Sequence, residues 1–292
     1  MVGRSRVTES GNTRMVAEVE GVRDSSLYSG SAAYYAEGRV AYPSALADRL
    51  TDELRLDGSG RLLDVGCGPG SLTLMLAEKF EGATGIDADA DMLGEAHRLA
   101  ARAGVSNVRW LHLRAEDLPA GLGTYRLVTF AQSFHWMDRA GVASAVHGML
   151  EECGACAHVH ATTHQGIDSD AALPHPQPPR RAITELVQRY LGPVRRAGQG
   201  YLPNGTPAGE TDIYRAAGFK GPRRIEIPGQ VVTRTADGVV AAVFSVSSSS
   251  PHLFGDRCGA FLTELRQLLL NASPGGTFSE QMRAIEVDIW RP

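Results

Sequence analysis

The chain has 292 residues, 43% of them apolar and 21% charged, with a formal net charge of −4. That composition is ordinary for a globular protein, and the acidic balance argues against binding nucleic acid or an anionic membrane surface. Arg4 and Arg6 near the start precede no apolar run of signal-peptide length, and the longest apolar stretch, 239–246, is too short to span a bilayer; the expected location is the cytoplasm.

Residues 1 to about 27 are polar and aperiodic and read as a loose N-terminal arm. Helical spacing sets in over 34–54, with Leu46, Leu50 and Leu54 at fourfold steps, and Asp57-Gly58-Ser59-Gly60 breaks it. Strands and helices then alternate. Residues 61–65 are a short apolar strand, followed by glycines and a helix using Leu72, Leu76 and Phe80. Residues 83–86 are a second strand, and Asp89 or Asp91 caps a helix carrying Met92, Leu93, Ala96 and Leu99. Residues 108–113 and 127–131 are the third and fourth strands. Asp138 caps a helix using Val142, Val146 and Leu150, and 156–162 form a fifth strand. Short apolar strands alternating with amphipathic helices imply a parallel sheet covered on both faces.

From 164 to 222 the chain is rich in proline and glycine, with one helix around 183–190. Strands are expected at 224–227 and 285–289, with helices around 236–244 and 257–270 between them. The two late strands fit an antiparallel addition to the sheet edge, and the irregular segments a substrate lid. The corresponding division is an arm (1–30), lid helices and cofactor-binding core (31–165), and substrate lid with the last two strands (166–292).

Cys153 and Cys156 form a C-x-x-C, a pattern shared by redox pairs and half-sites for zinc. No second C-x-x-C exists, and Gly154 reads as the residue closing the preceding helix. The pair is read as small apolar residues rather than a reactive site.

Chemistry concentrates where the first strand ends, in Leu62-Leu63-Asp64-Val65-Gly66-Cys67-Gly68-Pro69-Gly70. A glycine loop between strand and helix approaches a nucleotide-like ligand closely, because no Cβ intervenes. Asp87, ending the second strand next to Ala88, can accept hydrogen bonds from both hydroxyls of a ribose. The spacing is G-x-G-x-G, and Ser71 stands where a dinucleotide loop carries its third glycine. Asp64 suits an ammonium better than a phosphate. S-adenosylmethionine has a ribose, a sulfonium and an amino group but no phosphate, and the loop favours it over NAD.

These stretches resemble a known family. Residues 62–70 are similar to motif I of class I methyltransferases, and Gly85-Ile86-Asp87 with Met92-Leu93 to their second motif. Ala115-Glu116-Asp117-Leu118-Pro119 resembles the adenine-side loop of the ubiquinone/menaquinone-biosynthesis and trans-aconitate methyltransferase group. Gln132-Ser133-Phe134-His135-Trp136 resembles the end of their fourth strand. The resemblance covers roughly residues 30–165 and implies an α/β fold: a doubly wound seven-stranded sheet of order 3-2-1-4-5-7-6, strand 7 antiparallel. It also implies a cofactor site including Met92, Ala115, Glu116, Asp117 and Gln132. Many relatives carry an acidic residue just before the Ala-Glu pair; Arg114 stands there, leaving the adenine contact to Glu116, Asp117 or backbone. Tyr34-Tyr35-Ala36-Glu37-Gly38-Arg39 resembles these enzymes' N-terminal lid, which would set Tyr34 or Arg39 against the cofactor carboxylate. A solvated helix with aromatic anchors accounts for the same two residues.

Ligands of open α/β sheets sit beyond the carboxyl ends of the strands, where His135 and His164 fall. Either is a candidate general base toward an acceptor hydroxyl, amine or thiol. His158 and His160 share a strand face, but with His164 they lack the further ligands a metal site needs. The expected activity is methyl transfer from S-adenosylmethionine to an O, N or S atom of a small molecule, without metal, nucleic acid or membrane. The alternatives are a nucleic-acid methyltransferase, whose usual Asp/Asn-Pro-Pro-aromatic run is here Gln132-Ser133-Phe134-His135, and a non-catalytic S-adenosylmethionine-binding protein.

Overall fold

A computed structural model describes residues 28, 30–168, 172–194, 196–197, 200–201 and 209–292; the expected N-terminal arm lies outside them. Seven strands form the main sheet: β1 (Arg61–Val65), β2 (Gly82–Asp87), β3 (Val108–His112), β4 (Tyr125–Ala131), β5 (Leu150–His160), β6 (Lys220–Ile227) and, last in the chain, β9 (Ile285–Arg291). Their order is β3-β2-β1-β4-β5-β9-β6, and β9 runs antiparallel to both its neighbours. Counted within the sheet alone, this is 3-2-1-4-5-7-6 with the seventh strand reversed, as the resemblance implied. The central strand β1 reads Arg-Leu-Leu-Asp-Val and is buried on both faces after its first residue, the near-continuous apolar signature of a covered parallel strand.

Helices α2 (Ser44–Leu54) and α3 (Ser71–Leu76) cover one face, meeting the sheet through Leu50, Leu62, Leu76, Leu127 and Val287. Helices α5 (Arg139–Gly148) and α7 (Glu210–Ala216) cover the other, where Val65, Phe130, Val146, Tyr214 and Trp290 pack. Helix α4 (Ala90–Ala103) starts at Asp89, whose carboxylate accepts the N–H groups of Asp91 (2.9 Å) and Met92 (3.2 Å); Asp138 does the same for α5 through Gly141.

The helical spacing over 34–54 is carried by two helices, α1 (Ala32–Gly38) and α2, separated at 39–43, where the residue before Pro43 is disfavoured from helical backbone. One reading requires correction. Gly154 does not close α5, which ends at Gly148. It lies inside β5, where pairing with β4 slips between Tyr125 and Leu127; glycine marks strand irregularities as readily as helix ends. Cys153 on this strand is exposed and Cys156 buried, and both are free thiols.

The helices expected around 183–190, 236–244 and 257–270 are present. Helices α6 (Arg180–Leu191), α8 (Ala236–Phe244) and α9 (Cys258–Ala272) build a core of their own around Ile183, Phe244, Phe261, Leu265 and Phe278. A two-stranded antiparallel sheet, β7 (Val231–Thr235) with β8 (Thr277–Gln281), adjoins it. Helix α1 joins this cap through Tyr34, whose ring centroid lies 5.0 Å from that of Phe244. Buried Arg234 on β7 fastens the pieces. Its guanidinium donates to the carbonyls of Gly38, His164 (3.0 Å) and Gly238 (2.9 Å) and to Glu280 (3.2 Å), which also takes Arg180. Among the described residues no helix is long and apolar enough to cross a membrane.

Candidate functional site

The carboxyl ends of β1 to β5 open under the lid onto two adjoining cavities. The first, about 410 Å³, lies over the glycine loop and is lined by Gly66, Gly68, Asp87, Ala88 and Met92 on one side and by Ala115, Glu116, Asp117 and Gln132 on the other. Gly66 has φ +68°, and a Cβ there would stand 2.6 Å from that of Ser133, so only glycine lets the loop close against β4's exit. Asp87 binds the loop directly. Its Oδ2 accepts the Gly68 N–H at 2.7 Å and its Oδ1 the Asp89 N–H at 2.9 Å. Burial raises its carboxyl above the ordinary range, against the pull of those backbone donors. A carboxylate offers about four acceptor sites, so two remain for a ligand diol.

Four expected cofactor residues lie elsewhere. Asp64 is sealed under the loop, its Oδ2 accepting the Thr73 hydroxyl (2.6 Å) and its Oδ1 that of Thr129 (2.7 Å). Burial pushes its carboxyl up to about 6, although both hydroxyls oppose the shift. Gly70 ends the loop outside the cavity wall, over the Trp110 ring. Tyr34 is in the lid core. Arg39 lines the second cavity instead: Nε donates to Ser245 Oγ at 2.8 Å, Nη2 to the Ser245 carbonyl at 2.7 Å, and the guanidinium lies 4.4 Å over the Tyr35 ring. Tyr34 and Tyr35 go separate ways because successive helix residues point about 100° apart, so one faces the lid core and its neighbour the cavities.

On the adenine side, Arg114 itself lines the first cavity, with Nε and Nη2 each 3.4 Å from Glu116 Oε2. Glu116 Oε1 accepts the Asp138 N–H at 3.1 Å, tying this loop to the start of α5.

The second cavity, about 480 Å³, shares Tyr28, Tyr35, Gln132 and Trp136 with the first. Gln132 sits at φ +58°, unusual for a side-chain-bearing residue. Its amide donates to the Tyr42 hydroxyl (3.0 Å) and Thr163 Oγ1 (3.3 Å). Tyr28 meets Tyr35 and Trp136 edge-on, with centroids 6.4 and 6.5 Å apart, so the junction has aromatic walls. His135, His158, His160 and His164 all face this second space. Sequence reasoning passed over Tyr28, Tyr35 and Trp136 as ligand-facing residues; aromatic residues in a lid-like helix and just after a strand were the available signal. No group of three or more His, Cys, Asp or Glu side chains able to hold a metal ion occurs among the described residues.

Comparison with known proteins bears on the same region. Residues 62–154 match the model of a methyltransferase domain. Over those residues the chain is similar to methyltransferases. An uncharacterised methyltransferase of Synechocystis sp. is 32% identical over 111 residues, 37% of this chain and 50% of that protein. One from Mycobacterium bovis is 33% identical over 118 residues, 40% and 58% of the two chains. The chain thus spans about half the length of the curated relatives it matches. A solved structure named for a type II methyltransferase, from Anaeromyxobacter dehalogenans, superposes with a TM-score of 0.50 at 21% identity, covering 86% of this chain and 95% of that one. At that identity the likeness is one of fold.

The glycine loop and Asp87 suit S-adenosylmethionine: a Cβ-free approach, a diol acceptor, and a cavity of the 300–1,000 Å³ typical of small-ligand sites.

Proposed function

We propose that this protein transfers a methyl group from S-adenosylmethionine to an O, N or S atom of a small molecule held in the second cavity. The observation that carries this reading is the pairing of spaces. The donor-type cavity around Asp87 opens onto a polar, lid-covered one across Tyr28, Tyr35, Gln132 and Trp136. When bound, S-adenosylmethionine supplies a methyl group already activated on a cationic sulfur. The protein's part is alignment: Asp87 would hold the ribose, the loop would seat the amino-acid end, and the aromatic junction would exclude water from the line between the two cavities. His135 and His164 line the acceptor side and are candidate bases. A cavity of about 480 Å³ beneath a packed lid fits a small acceptor, and the net charge of −4 gives no general attraction for a polyanion.

Calorimetry with S-adenosylhomocysteine and with NAD tests the donor. Micromolar binding of the first and none of the second is expected; the reverse pattern would refute the reading.

A further inference from the structure

We propose that His160, oriented by Asp288, is the general base of the second cavity, serving an acceptor that loses the proton of a weakly acidic O–H or S–H group on methylation. The proposal rests on the methyl-transfer reading above.

His160 is the last residue of β5 and lines the acceptor cavity with its side chain 36% exposed. Its Nε2 lies 3.3 Å from Oδ2 of Asp288 on the adjacent strand β9, a carboxylate only 7% exposed. Arg224 on β6 grips that carboxylate at two points, Nε to Oδ1 and Nη2 to Oδ2, both at 2.7 Å. Burial alone would push the Asp288 carboxyl up, but Arg224 and His160 hold it well below the usual carboxylate range. A fixed carboxylate at Nε2 selects the tautomer that carries its proton there, leaving Nδ1 as the acceptor.

The neighbouring imidazole supports the assignment. His158 stacks on His160 with centroids 4.3 Å apart and planes 10° from parallel. Its Nδ1 lies 3.3 Å from the Tyr214 hydroxyl, and burial lowers its pKa to about 3. His158 therefore stays neutral, neither taking the proton itself nor placing a second positive charge against His160. His160 combines exposure to the cavity with a buried, doubly anchored carboxylate.

The step balances without a further reagent. A lone pair on the acceptor oxygen or sulfur forms the bond to the methyl carbon. The carbon–sulfur bond breaks with its electron pair remaining on the donor sulfur, which leaves as the thioether of S-adenosylhomocysteine. The acceptor's proton passes to Nδ1 of His160, and Asp288 compensates the imidazolium through the Nε2 hydrogen bond. An imidazole base is matched to weakly acidic O–H and S–H groups, such as phenols and thiols, rather than to unactivated alcohols.

The test has two readouts. In nitrogen-15 spectra of histidine-labelled protein, His160 should be protonated at Nε2, and Asp288→Asn should abolish that preference; a His160 protonated at Nδ1 in the unmodified protein would overturn the proposal. In turnover, the probes are S-adenosylmethionine labelled in its methyl group and a panel of phenols and thiophenols of graded acidity. His160→Asn should cost roughly 10²–10⁴-fold with the least acidic members and progressively less with the most acidic, while S-adenosylhomocysteine affinity stays constant. Asp288→Asn, as a positioning change, should show the same graded loss at smaller amplitude. A uniform loss across the panel, or no loss, would remove His160 from proton transfer, as would a graded loss in His135→Asn or His164→Asn with none in His160→Asn. Binding of S-adenosylhomocysteine with no turnover of any panel member would overturn this proposal alone. Failure to bind S-adenosylhomocysteine would overturn the methyl-transfer reading itself, and this inference with it.

Discussion

Asp87 is the side chain on which donor binding should turn, and its geometry sets the size of the effect. Its two oxygens each accept one backbone N–H, from Gly68 at 2.7 Å and Asp89 at 2.9 Å, and keep one acceptor site each for a ribose hydroxyl. Asp87→Ala removes both ligand bonds and frees the Gly68 N–H that fixes the loop. Losing hydrogen bonds to a charged group costs roughly 1.5–3 kcal/mol, or about a tenfold to hundredfold rise in dissociation constant. The loosened loop places the expected value toward the upper end. Asp87→Asn is the sharper variant: its amide NH₂ must face either the Gly68 or the Asp89 donor, where it makes no bond, so its loss should fall between wild type and Ala. Calorimetry with S-adenosylhomocysteine on the three proteins, alongside their ligand-free melting temperatures, measures both effects. Dissociation constants within about twofold of one another, with lowered melting temperatures in the variants, would make Asp87 a loop fastener only and refute the argument.

Two further perturbations probe the loop's foundation and the lid. The Asp64 carboxyl, pushed up to about 6 by burial, keeps its proton where the unfolded chain, near 3.8, has lost it. Its contribution to stability is therefore full below about 3.8 and is lost as pH rises through about 6. Asp64→Asn, whose amide can still meet the Thr73 and Thr129 hydroxyls, should gain on wild type by on the order of 2–3 kcal/mol between pH 4 and 7; urea titrations showing a pH-independent difference would contradict this. In the lid, a Cβ at Gly38 would overlap the Ala241 backbone of α8. Gly38→Ala should thus part α1 from α8, raise hydrogen exchange in α1 and weaken donor binding through displaced Tyr35, while the sheet's protection stays unchanged; unaltered exchange in α1 would show that the contact relaxes freely.

The strand–helix alternation was readable because each unit is local. A fully buried strand such as β1 is short and apolar, its helices repeat at 3.6, and the caps at Asp89 and Asp138 announce themselves. The glycine loop and Asp87 were readable for a similar reason: both sit at strand ends whose positions the alternation fixes. β7 and β8 went unread because the strands of that pair are separated by α8 and α9 in sequence. Nothing local in Val-Val-Thr-Arg-Thr says that Thr277–Gln281 will pair with it.

What the sequence by itself determined is the class of fold, the sheet edge at which the cavities open and a glycine loop whose spacing suits a phosphate-free adenosine ligand, since backbone conformation and residue type at adjacent positions decide these. Which side chains meet in the cavities was left to tertiary packing. Asp64 looked like a ligand and is a buried strut, because burial depends on Thr73 and Thr129 arriving from two other elements. Arg39 and Tyr34 were alternative candidates for the cofactor carboxylate, and the docking of α1 on α8 turns Arg39 into the second cavity and Tyr34 into the lid core. His160 read as a weak metal candidate until β9, the last strand in the chain, inserted beside β5 and brought Asp288 to its imidazole. That pairing spans 128 residues, and only long-range strand order, with β9 hydrogen-bonded between β5 and β6 and its two faces buried in the cores on either side of the sheet, puts the carboxylate there.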